Sequence, residues 1–138
     1  MFKKILIVCL SIFILSCLTG CGIDKTIYYV EMEDEKIVEY TYKELKKIYE
    51  ENIVNWEENY EYKYVKFTSE VEKVEEEYIL FKNGAVAEGY DSSSFDGDLA
   101  SLKKGDSLTC TGYIITSYYN EFLGIDISNC FIKKNKEA

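Results

Sequence analysis

Residues 65–90 read VKFTSEVEKVEEEYILFKNGAVAEGY. Val65, Phe67, Ser69 and Val71 alternate with Lys66, Thr68, Glu70 and Glu72, the period of two that marks a strand with one buried and one wet face. After the charged turn Glu75 to Glu77, Tyr78 to Lys82 makes a second strand. Asn83-Gly84 follows, and because both residues tolerate positive φ this pair is a strong hairpin signal that leads into a third strand from Ala85 to Tyr90. Three strands in a meander are predicted here.

Upstream the period changes to that of a helix. Thr41-Tyr42-Lys43-Glu44 fits a capping box, in which the Thr hydroxyl takes an amide three residues on and the Glu reaches back. Leu45, Ile48, Tyr49, Asn52, Ile53, Trp56 and Tyr60 then recur at steps of three and four, which predicts one helix over 42–60. Its aromatic stripe is expected to face the core, with an aromatic ligand shelf as the functional alternative. Downstream, 91–104 is rich in Ser, Gly and Asp, with Phe95, Leu99 and Leu102 spaced to pin a short helical turn. Gly105-Asp106 opens a strand over 107–116, and a hairpin at Ser117 to Asn120 leads to a last strand over 121–132. The expected fold is mainly β with one long N-terminal helix and a five-stranded OB-type Greek-key barrel over 41–132, followed by a C-terminal tail at 133–138.

The order of several short patterns resembles the tRNA_anti-like OB-fold family of small bacterial lipoproteins and membrane-attached proteins. The carrying residues are Asn52 near the helix end, Tyr60-Glu61-Tyr62-Lys63, and Val65, Phe67 and Val71 in the first barrel strand. Leu102, Gly105-Asp106, Gly112, Ile125, Ile127 and Cys130 complete the pattern. Ser69 stands where the family usually has Gly, and Trp56 where a small residue is usual. The resemblance implies the barrel and an envelope setting, and it implies no activity.

Met1 to Cys21 gives the same localisation from the residues alone. Lys3 and Lys4 precede the apolar run Ile5 to Leu18, and small residues follow as Leu18-Thr19-Gly20-Cys21, a signal-peptide layout. The last four resemble a bacterial lipobox, in which the Cys thiol is acylated and becomes the N-terminus. An uncleaved anchor is the alternative, but the run falls short of the roughly 20 residues a spanning helix needs. The expected domains are therefore a signal peptide at 1–20, a lipidated Cys21, and an acidic tether at 21–40 in which Ile27 to Val30 could pair as a short strand. Two acyl chains on Cys21 would hold the chain to the cell membrane on its extracytoplasmic side, where one chain binds only marginally.

Composition narrows the chemistry. The 138 residues carry 16 Lys, no Arg, no His and 25 acids, a formal charge of −9 that becomes −11 once Lys3 and Lys4 leave with the signal. An imidazole base, a His metal ligand and a bidentate Arg clamp are excluded. Export removes ATP, NADH and tRNA from the surroundings, and no phosphate-binding Gly-rich loop is present. Abundant carboxylates single out no acid–base pair, and a Ser or Thr nucleophile would have only Lys as base. No catalytic residue, no cofactor and no metal site is assigned. Asp91, Asp96 and Asp98 could offer oxygens to Ca²⁺ but lack the closing pattern of an EF-hand, so a solvated turn is expected.

Tyr62, Tyr64, Tyr78, Tyr90 and Tyr113, with Tyr118 and Tyr119, are the candidate ligand surface, since OB barrels stack ligands on aromatic rings. Residues 41–132 hold nine Lys against 18 acids, which opposes a phosphate backbone unless the fold gathers Lys63, Lys66, Lys103 and Lys104 into one groove. The expected function is a membrane-anchored OB-fold interaction domain with a protein or envelope-glycan partner. The alternatives are an OB-type binder of nucleotide, single-stranded nucleic acid or oligosaccharide, and a purely structural envelope protein. Cys110 and Cys130 are equidistant from Asn120, so a regular hairpin register would set them opposite each other as a candidate disulfide; otherwise Cys110 is a small core residue.

Overall fold

The computed structural model describes residues 25–89, 99–128 and 132–136. In chain order these form β1 (Ile27–Glu31), β2 (Ile37–Thr41), α1 (Tyr42–Glu51), α2 (Ile53–Asn59), β3 (Tyr64–Val74) and β4 (Tyr78–Phe81). β5 (Val86–Glu88), β6 (Ser107–Thr116), β7 (Leu123–Asp126) and β8 (Ile132–Lys134) follow. The alternation read in 65–71 sets the inner face of β3, where Val65, Phe67, Ser69 and Val71 are buried and the residues between them exposed. β3 pairs with β4, β4 with β5, β5 with β7 in parallel, β7 with β6, and β6 returns to β3. That circuit is a closed five-stranded barrel, consistent with the OB type, around a core that includes Phe67, Phe81, Ile79, Leu108, Ile114, Leu123 and Ile125. A register shift between Val71 and Lys73 marks a bulge in β3, which bends the strand and lets it pair with both barrel neighbours.

Two glycines are required by geometry. Gly84, at φ +100, completes the turn in which the Asn83 side chain accepts from the Ala85 amide at 2.9 Å. Gly112 lets β6 approach β7: a Cβ there would lie 2.4 Å from the Asp126 carbonyl oxygen.

The single long helix is corrected to two short ones. Asn52 is extended, at φ −159 and ψ 98, and its side chain accepts from the Asn55 amide at 3.1 Å, so it caps a new helix instead of continuing the old one. Asn is a strong N-cap and Ile53 and Val54 are β-branched, so the local preference favours a restart. The restart also turns Ile53 outward, 43% exposed, while Leu45 and Trp56 remain fully buried. The capping box at Thr41 and Glu44 forms as expected.

The acidic tether is corrected as well. β1 and β2 form a hairpin with Tyr28 opposite Tyr40 and Val30 opposite Val38, and Tyr28 and Val30 are fully buried. The acids that suggested a tether lie at the hairpin's wet positions or at its tip, Glu33–Glu35, where Asp34 and Glu35 take left-handed backbone angles. β1 extends the barrel sheet by pairing Tyr29 with Lys66 and Val30 with Val65.

The last strand is two strands, not one over 121–132. β7 pairs with β6 in the register Thr116 to Leu123, whereas β8 pairs with the earlier part of β6 with Cys110 opposite Ile132. The register slips between them, and Ile132 is the register partner of the buried Cys110. Cys130 itself lies outside the described residues. The expected tail begins as β8, and Asn135 still donates its amide to the Ser107 carbonyl at 2.9 Å. Among the described residues no helix is long and apolar enough to cross a membrane.

Candidate functional site

In a barrel of this strand order, ligands meet the face of the second and third barrel strands and the loops between strands one and two and between four and five. Here these are β4, β5, the turn Glu75 to Glu77, and the loop from Ser117 to Phe122. Tyr78 opens β4 opposite Glu88 at the end of β5.

The 117–122 loop is fixed from within. Ser117, 3% exposed, donates its hydroxyl to the Glu88 carboxylate and accepts from the amides of Tyr119 at 3.1 Å and Asn120 at 3.2 Å. Asn120 donates to the carbonyls of Gly84 at 2.6 Å and Leu123 at 3.2 Å, and its oxygen accepts from the Phe122 amide at 2.9 Å. The helices hold the loop from behind. Tyr49 donates to the Glu121 carbonyl at 3.0 Å, and Phe122 packs against Tyr42, Tyr49 and Trp56 at ring-centroid distances of 5.3, 5.1 and 5.5 Å. The aromatic stripe of the helices is thus core, as expected, and its role is to brace this loop.

On that base Tyr119 stacks on Tyr78, with centroids 4.1 Å apart and planes at 29°. The Tyr119 hydroxyl donates to Glu77 Oε2 at 2.7 Å, and this bond, ahead of burial, pushes its pKa up to about 12. Tyr118, 88% exposed, meets Tyr119 edge-on at 5.7 Å. Beside the stack, Glu76, Glu77, Glu88, Gly89 and Tyr119 line an open groove of about 320 Å³. Glu77 and Glu88 form no ion pair among the described residues. The groove therefore offers aromatic faces and carboxylate acceptors and repels phosphate.

The candidate tyrosines do not form one platform. Tyr78 belongs to the stack just described. Tyr64 and Tyr113 are register partners on the outer face of β3 and β6, edge-to-face at 5.8 Å. There Tyr64 shares a second cleft of about 320 Å³ with Tyr29, Glu31 and Ile37 of the hairpin and with Lys66. Tyr62 stands alone before β3, 73% exposed and held at φ 62 while its amide donates to the Ile114 carbonyl at 2.7 Å. Tyr90, Cys21, where acylation is expected, Cys130, and Asp91, Asp96 and Asp98 lie outside the described residues.

The lysines considered for a nucleic-acid groove are dispersed. Lys104 is paired with Glu72 at 2.5 Å, and Glu72 lies six residues along β3 from Lys66, about 20 Å at roughly 3.3 Å per residue. The walls Glu76, Glu77 and Glu88 were missed by sequence reasoning. Their only signal was the run Glu75 to Glu77 next to Tyr78, and Glu88 joins them through pairing across the barrel. No family model, no curated protein and no solved structure matches the chain.

Proposed function

We propose that the chain is a bacterial lipoprotein of the tRNA_anti-like kind, held to the extracytoplasmic face of the cell membrane by acyl chains on Cys21, whose barrel is a binding module for an envelope glycan. The observation that carries the binding half is the Tyr78–Tyr119 stack bordered by Glu77 and Glu88. Sugars present apolar ring faces that pack on aromatic rings and hydroxyls that donate to carboxylates. An ionised carboxylate has about four acceptor positions, so Glu77 and Glu88 each retain capacity beyond the one bond they accept. The carboxylates at the same groove disfavour nucleotides and single-stranded nucleic acid, for which phosphate neutralisation is the dominant attraction. The anchoring half is supported by Lys3, Lys4, the apolar run and Leu18-Thr19-Gly20-Cys21.

Two measurements test the two halves separately. Metabolic labelling with a fatty-acid probe should mark the protein and be lost in Cys21→Ser; label retained by that variant contradicts the anchor. The full chain in detergent should co-sediment with purified envelope glycan, and Tyr119→Ala should lose most of that binding. Equal retention of wild type and variant contradicts the site.

A further inference from the structure

Among the described residues β2 is the last strand of the sheet, bonded to β1 on one side only. Its free main-chain groups follow from the ladder. The Met32 amide donates to the Lys36 carbonyl at 2.8 Å. Bonded and non-bonded pairs alternate in an antiparallel ladder, so Val30–Val38 and Tyr28–Tyr40 are bonded pairs and Glu31–Ile37 and Tyr29–Glu39 are not. The amides and carbonyls of Ile37 and Glu39 therefore point away from β1, and both residues are exposed, Ile37 by 64%. Tyr29 obeys the same alternation on the other side of β1, where it turns toward Lys66 of β3.

The side chains along this edge define what fits it. Glu31 and Glu39 occupy the outer face with Ile37, and Glu33, Asp34 and Glu35 crowd the tip, against one cation, Lys36. On the opposite face, Val38 and Tyr40 are half-buried. A second copy of β2 paired antiparallel about its centre would set Glu39 against Glu39, so the edge repels itself.

We propose that the β2 edge docks an extended cationic segment of a partner protein by strand addition, with Lys or Arg on one face meeting Glu39 and Glu31 and apolar side chains on the other meeting Val38 and Tyr40. Main-chain bonds from Ile37 and Glu39 supply the pairing, and the alternation of charged and apolar residues supplies the selection. This surface is separate from the Tyr78–Tyr119 groove, and the proposal stands or falls independently of the glycan reading.

The probe is a fluorescent peptide of alternating Lys and Val, followed by anisotropy with the full chain in detergent. Binding is expected, with an alternating Glu and Val peptide giving none. Methylating the peptide amides on its pairing edge keeps its charge but removes main-chain bonds, and should weaken binding about tenfold or more. Ile37→Pro should do the same while keeping the fold. The Ile37 amide is not in the ladder, it is the first residue of β2, and Lys36 at φ −78 and ψ 124 already has the backbone a residue before Pro requires. Equal binding of the methylated peptide would reduce the effect to diffuse charge and overturn the proposal. So would absence of binding, retention of binding by folded Ile37→Pro, or concentration-dependent self-association through β2 in place of peptide binding.

Discussion

The hydroxyl of Tyr119 donates to Glu77 across the gap between the fourth-to-fifth and first-to-second barrel loops, while its ring lies on Tyr78. One tyrosine thereby ties together the two loops that border the groove. The relationship makes Tyr119 both a ligand surface and a clasp, and the two roles separate by substitution. Tyr119→Phe keeps the stacked ring and removes the bond to Glu77, so glycan binding should fall by a few-fold at most, whereas Tyr119→Ala should lose most of it. Titration of both variants with the same glycan checks this, and equal losses would contradict stacking as the main attraction.

Tyr119 also makes stability depend on alkaline pH. Its pKa is raised to about 12, mainly by the bond to Glu77, and that of Tyr40 is raised to about 12 by burial and then by the Tyr60 hydroxyl. Both folded values lie above the ordinary 10.0, so each group favours the folded state below pH 10 and loses that contribution as pH rises from 10 to 12. Denaturation midpoints should fall across this window, and less steeply in Tyr119→Phe and Tyr40→Phe. Ultraviolet titration should show both hydroxyls ionising above the ordinary value of 10.0.

The opposite sign applies in acid. Backbone amides hold Glu44 and Asp106 below their ordinary values, the Thr41 amide for Glu44 and the Lys103 amide, followed by Lys134, for Asp106. Their contribution is present above the ordinary carboxylate range and lost as pH falls through the depressed values. Asp106→Asn should therefore flatten the acid limb of the stability profile, measured by denaturant melts from pH 5 to pH 2.

Gly112 tests the closure of the barrel. An Ala side chain would sit 2.4 Å from the Asp126 carbonyl oxygen and 2.6 Å from Ile125, so β6 and β7 must separate, at a cost of about 1–3 kcal/mol or more. Gly105→Ala is the control: it meets nothing within 4 Å but sits at φ +90, so its cost is backbone strain of about 1–2 kcal/mol. Chemical denaturation ranks the two, and a neutral Gly112→Ala would contradict the β6–β7 approach.

The barrel was legible because its signals are local: the alternation in β3, Asn83-Gly84, and the strand over 107–116 each follow from neighbours in sequence. Asn52 was read as part of a stripe because it falls at a helical step, yet the same residue is a strong cap, and the cap prevailed. Asn52→Ala should consequently cost about 1 kcal/mol through loss of the bond to the Asn55 amide. Ile27 to Val30 could be read as a short strand, and β1 forms there, but among six acids the solvated run was the preferred reading, because the burial of Tyr28 and Val30 depends on β3, which lies far along the chain. The register slip that sets Ile132 opposite Cys110 has no local signal, since it is created by the break between β7 and β8. In the candidate site, individual tyrosines could be listed from sequence, but their division into a stack on the loops and a pair on the outer sheet face is a product of closure. Glu88 joins the groove only because β5 pairs with β4 and receives the Ser117 hydroxyl.

The most direct test of the account is competition at the groove. The full chain in detergent, bound to a fluorescent fragment of envelope glycan, is titrated with unlabelled glycan and with a single-stranded oligonucleotide at low and physiological salt. Unlabelled glycan should displace the probe at both salt concentrations, the oligonucleotide should fail to do so, and Tyr78→Ala should abolish probe binding. Displacement by the oligonucleotide that weakens steeply with salt, or a Tyr78→Ala variant that binds the glycan as wild type does, would contradict the account.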